Sequence, residues 1–257
     1  VTTTVTLANK SNGIRADWSS VAGATSYIVY YKATSASAWS SKTVTTLYYT
    51  ITGITPGTEY SVRVKPVFCS ALGIYSTIVK LTYVPQVKPV VTLSNKTNGI
   101  RAEWETVTGA TKYVVYYKET SASTWSTAET TNLYYALTGI TPTVEYSFRV
   151  RPVFNTANGL LCSTVKLVYV PQAKPKATLT NQTNGIRVEW KAITGATKYI
   201  VYYKQSDASA WSSTQTTNLT YTLTGTKAGT SYSFQIKPVF GTYNGAYSSV
   251  YKLSYVP

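Results

Sequence analysis

Histidine and methionine are absent from the 257 residues, cysteine occurs twice, and acidic residues number 9 against 24 Lys plus Arg. Without histidine the chain lacks the commonest general base and the commonest metal ligand. The acids are scattered: Glu103 and Glu105 flank Trp104 on the outward side of a strand, and the first third of the chain has no equivalent pair. No glycine-rich phosphate loop, nucleophile elbow or calcium-loop motif occurs. A non-enzyme with no cofactor and no bound metal is expected. No apolar run approaches the roughly 18 residues of a membrane-spanning helix, and no leading segment has the charged, apolar and small-residue order of a signal peptide. Membrane insertion is not expected. The absence of Met, even at position 1, reads as a mature or excised piece of an exported protein.

What is present is apolar enough to fold. Hydrophobic residues make up 44% of the chain and aromatics 14%, against 13% charged, which excludes a disordered polyelectrolyte. The net charge of +15 is spread along the chain with no Lys/Arg run longer than two. A distributed positive field favours anionic polymers such as cell-wall polyanions and acidic glycans, and it also aids solubility. Nucleic acid is the less favoured polyanion.

Self-similarity decides the architecture. Trp18, Trp104 and Trp190 recur at a spacing of 86, as do Trp39, Trp125 and Trp211, and Tyr60, Tyr146 and Tyr232. Three copies follow, at 1–86, 87–172 and 173–257, with net charges of +5, +3 and +7. A period this long suits a small domain that closes its own core. Inside each copy apolar residues alternate with polar ones, as in Ile14, Ala16 and Trp18, in Tyr27, Val29 and Tyr31, in Tyr60, Val62 and Val64, and in Val79, Leu81 and Tyr83. Period two is the mark of half-buried strands, and no segment shows helical spacing. Asn12-Gly13, Asn98-Gly99 and Asn184-Gly185 suggest tight hairpins with positive φ. Turn signals about every ten residues give about seven short strands per copy, hence an antiparallel sandwich in preference to a barrel.

The second-strand Trp, the segment YIVYYK, the AWS that opens the next strand and the run YYTITGITPGTEYSVRVKPV together resemble fibronectin type III modules over every copy. The resemblance implies an all-β chain of three tandem seven-stranded antiparallel sandwiches. Its most specific element is TGITPGTEY, with Ile54, Pro56, Gly57 and the corner Tyr60. Copy two has Thr143 at the Gly position. Copy three reads TGTKAGTSY, with Thr226 for the apolar residue and Ala228 for the Pro, so its corner is expected to be the loosest. The linkers YVPQVKPVVTL and YVPQAKPKATL each carry two prolines, which suits semi-rigid spacing and an elongated rod.

Cys69 and Cys162 belong to the connection between the last two strands of different copies, at unequal register. Such loops lie one domain length apart, roughly 25 to 35 Å for strands of eight to ten residues. Disulfide geometry needs Cα atoms within about 7 Å, so free thiols or an intermolecular bridge are expected. Trp18 and its repeats fall on the inward phase and belong in the core. The resemblance implies that Trp39 and its repeats pack across the sheet edge, with ligand contact as the alternative.

If Tyr27, Val29 and Tyr31 point inward, Tyr30 points outward, and so do Arg63, Lys65 and Lys80. The same phase gives Tyr116, Arg149, Arg151 and Lys166 in copy two, and Tyr202, Lys237 and Lys252 in copy three, with Gln235 breaking the pattern. An aromatic centre with cations around it is the makeup of many binding faces. A polar outer face that discourages edge pairing reads equally from the same residues. Loop tips are the other candidate contacts: Leu72 and Tyr75, Asn158 and Leu160, and Tyr243 and Tyr247. There is no Arg-Gly-Asp tripeptide and no Trp-Ser-x-Trp-Ser box. Asn9, Asn95, Asn181 and Asn218 begin N-x-Ser/Thr sequons.

Two function classes follow. One is an extracellular or cell-surface adhesion module that presents repeated faces and loop tips to a protein or glycan. The other is a stalk between an anchor and a functional, possibly carbohydrate-active, domain. The Ser, Thr, Tyr and Lys bias is similar to that of modules in secreted or surface proteins of Gram-positive bacteria. Self-association is left open.

Overall fold

A computed structural model describes residues 2–69 and 71–257, and its only regular secondary structure is β. In the first copy the strands are β1 (Val5–Lys10), β2 (Gly13–Trp18), β3 (Ser26–Ala33), β4 (Ser40–Val44), β5 (Tyr48–Thr52), β6 (Glu59–Phe68), β7 (Ala71–Leu72) and β8 (Val79–Thr82). They make two antiparallel sheets, one ordered β1-β2-β5 and one ordered β4-β3-β6, with β7 and β8 both paired to β6. The same order recurs over Val91–Val168 and Ala177–Ser254. The fold is all-β, three sandwiches in tandem.

The alternating residues fill each interior as their phase predicts. Ile14, Ala16, Val29, Val62 and Val64 are fully buried, and Trp18, Trp104 and Trp190 lie in the cores, each beside a Tyr of the facing sheet at 5.4–5.7 Å between ring centroids. Burying each indole contributes roughly 2 to 3 kcal/mol. The expected seventh strand is split into β7 and β8. Between them the Val64 N–H donates to the Ser76 hydroxyl at 2.9 Å, and Ser76 N donates to the Val64 carbonyl at 2.8 Å. A side-chain oxygen there does the work of a strand carbonyl. Ser248 repeats this in copy three, and in copy two the Cys162 sulfur accepts from Val150 N at 3.0 Å.

The Asn-Gly hairpins form, but not by the expected device. Asn12, Asn98 and Asn184 have no positive φ, and Gly185 at 157° is near extended. Glycine is required because a Cβ at Gly13 would stand 2.1 Å from the Ile51 carbonyl oxygen of the neighbouring strand. Close backbone approach, not turn handedness, selects the residue.

The tyrosine corner is present in all three copies. Thr55 N donates to the Tyr60 hydroxyl at 3.0 Å, Thr141 N to Tyr146 at 3.1 Å and Lys227 N to Tyr232 at 3.0 Å. The same corner forms the joint with the next copy. A Cβ at Gly109, in the turn after the second copy's Trp strand, would stand 2.6 Å from Pro56 Cγ, and one at Gly195 would stand 2.6 Å from Pro142 Cγ. Both glycines have φ near +83°. Each proline thus sits on a glycine of the following copy. The linkers are fastened too: Pro85, Pro89, Pro171 and Pro175 are buried, and Val84 packs on the second copy's core. Gln86 N donates to the Lys10 carbonyl, and Gln172 N to that of Lys96.

Candidate functional site

The four-stranded face carries the cations that the strand phase places outward. Register sets Tyr30 opposite Arg63, Ile28 opposite Lys65 and Ser61 opposite Lys80. The Arg63 guanidinium lies 3.9 Å from the Tyr75 ring centroid and 4.5 Å from that of Trp39. Lys32 covers Trp39 at 5.3 Å, and Lys65 lies 4.5 Å from Tyr75. The order along the face is Lys32, Trp39, Arg63, Tyr75, Lys65, cations alternating with rings. Stacking of this kind contributes on the order of 0.5 to 2 kcal/mol per contact.

Two sequence expectations change here. Trp39 lies over the cationic face, stacked by Arg63 and Lys32, instead of packing across the sheet edge. Tyr75 folds over Arg63 and touches Tyr30 at 5.3 Å between centroids, so it belongs to the face and not to a loop tip. Lys80 is drawn to Glu59 at 3.7 Å. Trp39 was missed as a partner of the face because nothing in strand alternation says where a side chain on the turn before β4 will lie, whereas Lys32 shares the outward phase of Tyr30 on β3 and was overlooked there.

The face differs between copies. In copy two Arg149 covers Trp125 at 4.7 Å and donates to the Thr164 hydroxyl at 2.6 Å, Arg151 lies 5.5 Å from Tyr116, and Lys166 approaches Glu145 at 3.6 Å. Leu161 occupies the Tyr75 position, so the ladder stops there. In copy three Gln235 replaces the arginine and donates to the Ser248 carbonyl. Lys237 lies 4.4 Å from Tyr247, whose hydroxyl is 3.5 Å from that of Tyr202. The hydrogen bond between them pushes Tyr202 up to about 12, and it lowers Tyr247, helped by Lys237. Tyr247, like Tyr75, is therefore part of the sheet face. Ser231 stands where copies one and two have Glu59 and Glu145, so Lys252 has no carboxylate at that place.

The remaining loop candidates are spread over three separate loops. Leu72 is 58% exposed beside Ile74 at 64%. Asn158 and Tyr243 are exposed in their short hairpin strands, and Leu160 is half-buried. The sequons divide as sharply. Asn9 donates to the Thr82 carbonyl and accepts from Val84 N, Asn95 does the same with Val168 and Val170, and Asn181 donates to Ser254. Asn218 lies exposed in a turn.

Cys69 is exposed and Cys162 buried, both as free thiols. Burial pushes the Cys162 thiol up. Cys69 has φ 53°, the left-handed region, at a position where the other copies have Asn155 and Gly241. Among the described residues, no three of the Cys, Asp and Glu side chains gather as a metal site, and no helix is long and apolar enough to cross a membrane. A crevice of about 550 Å³ lies at the second joint between Asn98, Ile140, Pro142, Ala173 and Ile193. Its lining is apolar side chains, the hydroxyls of Thr and Tyr169, and the Asn98 amide.

Residues 170–253 match the family model of the fibronectin type III domain. The other two copies repeat the same strand order and pairing. Each copy has the fibronectin type III fold. The chicken interferon gamma receptor alpha chain is similar to this chain over 67% of its length and all of the receptor chain, with 15% identity and a TM-score of 0.54. The FN1–FN3 domains of chicken CNTN1 align over 99% of this chain and 97% of that one, with 16% identity and a TM-score of 0.38. Comparison with curated proteins finds no match in sequence. At these identities the likeness concerns the fold alone. Fibronectin type III domains are commonly extracellular binding or spacer modules.

Proposed function

We propose that the chain is a non-catalytic extracellular spacer that holds its three fibronectin type III domains in a fixed end-to-end line. The observation that carries this reading is the repeated joint: Pro56 on Gly109, Pro142 on Gly195, and both prolines of each linker buried. Buried linker prolines leave few backbone torsions free to swing one domain on the next. The basic faces suit the same reading, since their arginines are held by the protein's own aromatic rings and not presented to a ligand. Small-angle scattering of the intact chain is expected to give a rod profile whose length is kept across salt concentration. A broad distribution of bent shapes would sink the proposal.

A second reading, a binding module for an acidic extracellular protein or glycan, is supported by the exposed Leu72 and Ile74 beside the Lys65 end of the first copy's face. Saturable binding in a glycan or host-protein panel, lost on Leu72→Ser with Ile74→Ser, would favour it. Arg63→Ala discriminates poorly between the two, because it removes the stack between Tyr75 and Trp39. It is expected to destabilise the first copy by about 1 to 2 kcal/mol, read by chemical denaturation.

A further inference from the structure

The surface of copies two and three that receives the preceding domain exists a third time, uncovered, on copy one. Val153 and Phe154 are 4% and 0% exposed, and Val239 and Phe240 are 4% and 0%. The equivalent Val67 and Phe68 are only half-buried. The core beneath is the same, and each ring lies under a glycine, Gly73, Gly159 or Gly245. In copies two and three the cover is the preceding domain, which at the first joint brings Gly57 so near that a Cβ there would stand 2.6 Å from the Phe154 carbonyl oxygen.

The rest of the socket on copy one is already shaped. Gly23 has φ 80°, against 83° at Gly109 and 84° at Gly195, and no residue of another domain stands within 4 Å of a Cβ built there. The rim is tied identically in all three copies. Cys69 N donates to the Thr25 hydroxyl at 3.2 Å, Asn155 N to Thr111 at 3.1 Å, and Gly241 N to Thr197 at 3.2 Å. A surface preorganised in this way binds without an ordering cost.

We propose that the end of copy one formed by Gly23, Val67, Phe68 and Cys69 is a docking socket for the Pro-bearing corner of another fibronectin type III domain. The occupant is argued from the two filled sockets of the same molecule, each of which takes a proline on its glycine. This chain cannot supply one from another copy of itself. Pro56 and Pro142 are engaged in its own joints, and its third corner carries Lys227 and Ala228 in place of Thr and Pro. The inference rests on the joints and not on the spacer reading.

Cys69 supplies the reporter. At the second joint the Thr143 side chain faces the residue equivalent to Cys69, its Cγ2 3.9 Å from the Cβ position of Gly241, so a thiol at 143 points at the place where Cys69 carries its own. In the test, residues 87–172 are joined directly ahead of Val1 of the full chain, with Thr143→Cys in the added copy and Cys162→Ser in both second-type copies. The extended chain is equilibrated with reduced and oxidised glutathione. The introduced thiol and Cys69 are expected to form an intramolecular disulfide with an effective concentration at least about tenfold above that of the same chain with Pro142→Lys in the added copy. Equal values, or no disulfide, would overturn the proposal without touching the existing joints. Sedimentation of the unaltered chain at rising concentration is expected to show monomer. End-to-end assembly would instead identify the Lys227–Ala228 corner as an occupant and overturn the requirement for proline.

Discussion

The turn at Gly109 and the turn at Gly23 have the same backbone and opposite surroundings. One lies beneath a proline ring of the preceding domain, the other beneath no neighbouring domain. The corners at the other end of each domain divide in the same way. Pro56 and Pro142 are pressed on a neighbour, whereas the corner at Thr226 to Gly229 touches none among the described residues. All three corners keep the tyrosine hydrogen bond, so what varies is not the fold of a domain but whether its ends are shaped for contact. Near-identical sequences thus vary at one end only: the sandwich positions and the receiving turn are shared by all three copies, whereas the corner proline stands at Pro56 and Pro142 and is replaced by Ala228 in copy three.

The comparison breaks most visibly at the glycines. Gly23→Ala puts a side chain into the left-handed region and is expected to cost the first copy about 1 to 2 kcal/mol. Gly109→Ala carries that cost and also drives a methyl into Pro56, so it should cost more and free the first joint. Denaturant titration with scattering checks both, and equal costs with an unchanged scattering profile would show that the proline contact is idle. At the other end, the Thr226 hydroxyl is buried without a hydrogen-bond partner where Ile54 and Ile140 stand in the other copies. Thr226→Ile is expected to stabilise copy three by about 1 kcal/mol. Amide exchange around Tyr232 should fall toward the rate around Tyr60, and a corner already as protected as the one at Tyr60 would contradict this. The smallest effect belongs to Cys69→Asn, expected to add about 0.5 to 1 kcal/mol by placing a residue that tolerates positive φ where Asn155 already does, measured by thermal melting.

Most of the fold was legible because side-chain alternation reports directly on burial: Ile14, Trp18, Val29 and Val62 lie where their phase puts them. The outward phase of Tyr30, Arg63 and Lys65 was legible for the same reason. Their use was not. A stack such as Trp39 on Arg63 on Tyr75 joins residues from three segments, and alternation within a strand carries no information about which loop folds over it. The joint left a trace whose outward role sequence reading did not see. The loss of Pro at Ala228 read as a looser corner, because a corner's inward contacts can be inferred from one copy while its outward ones need the neighbour in place. The Asn-Gly pairs misled for a related reason: Gly13 answers to Ile51 across the sheet, far away in the chain.

The pair of thiols gives the molecule a chemical polarity. Cys162 is buried, bonded to the sheet and held above the ordinary thiol range, whereas Cys69 stands in water at the other side of a joint. A maleimide dye at neutral pH therefore marks the first domain alone. A chain that is otherwise three times the same acquires a labelled head, and its direction in any larger assembly becomes something a microscope can read.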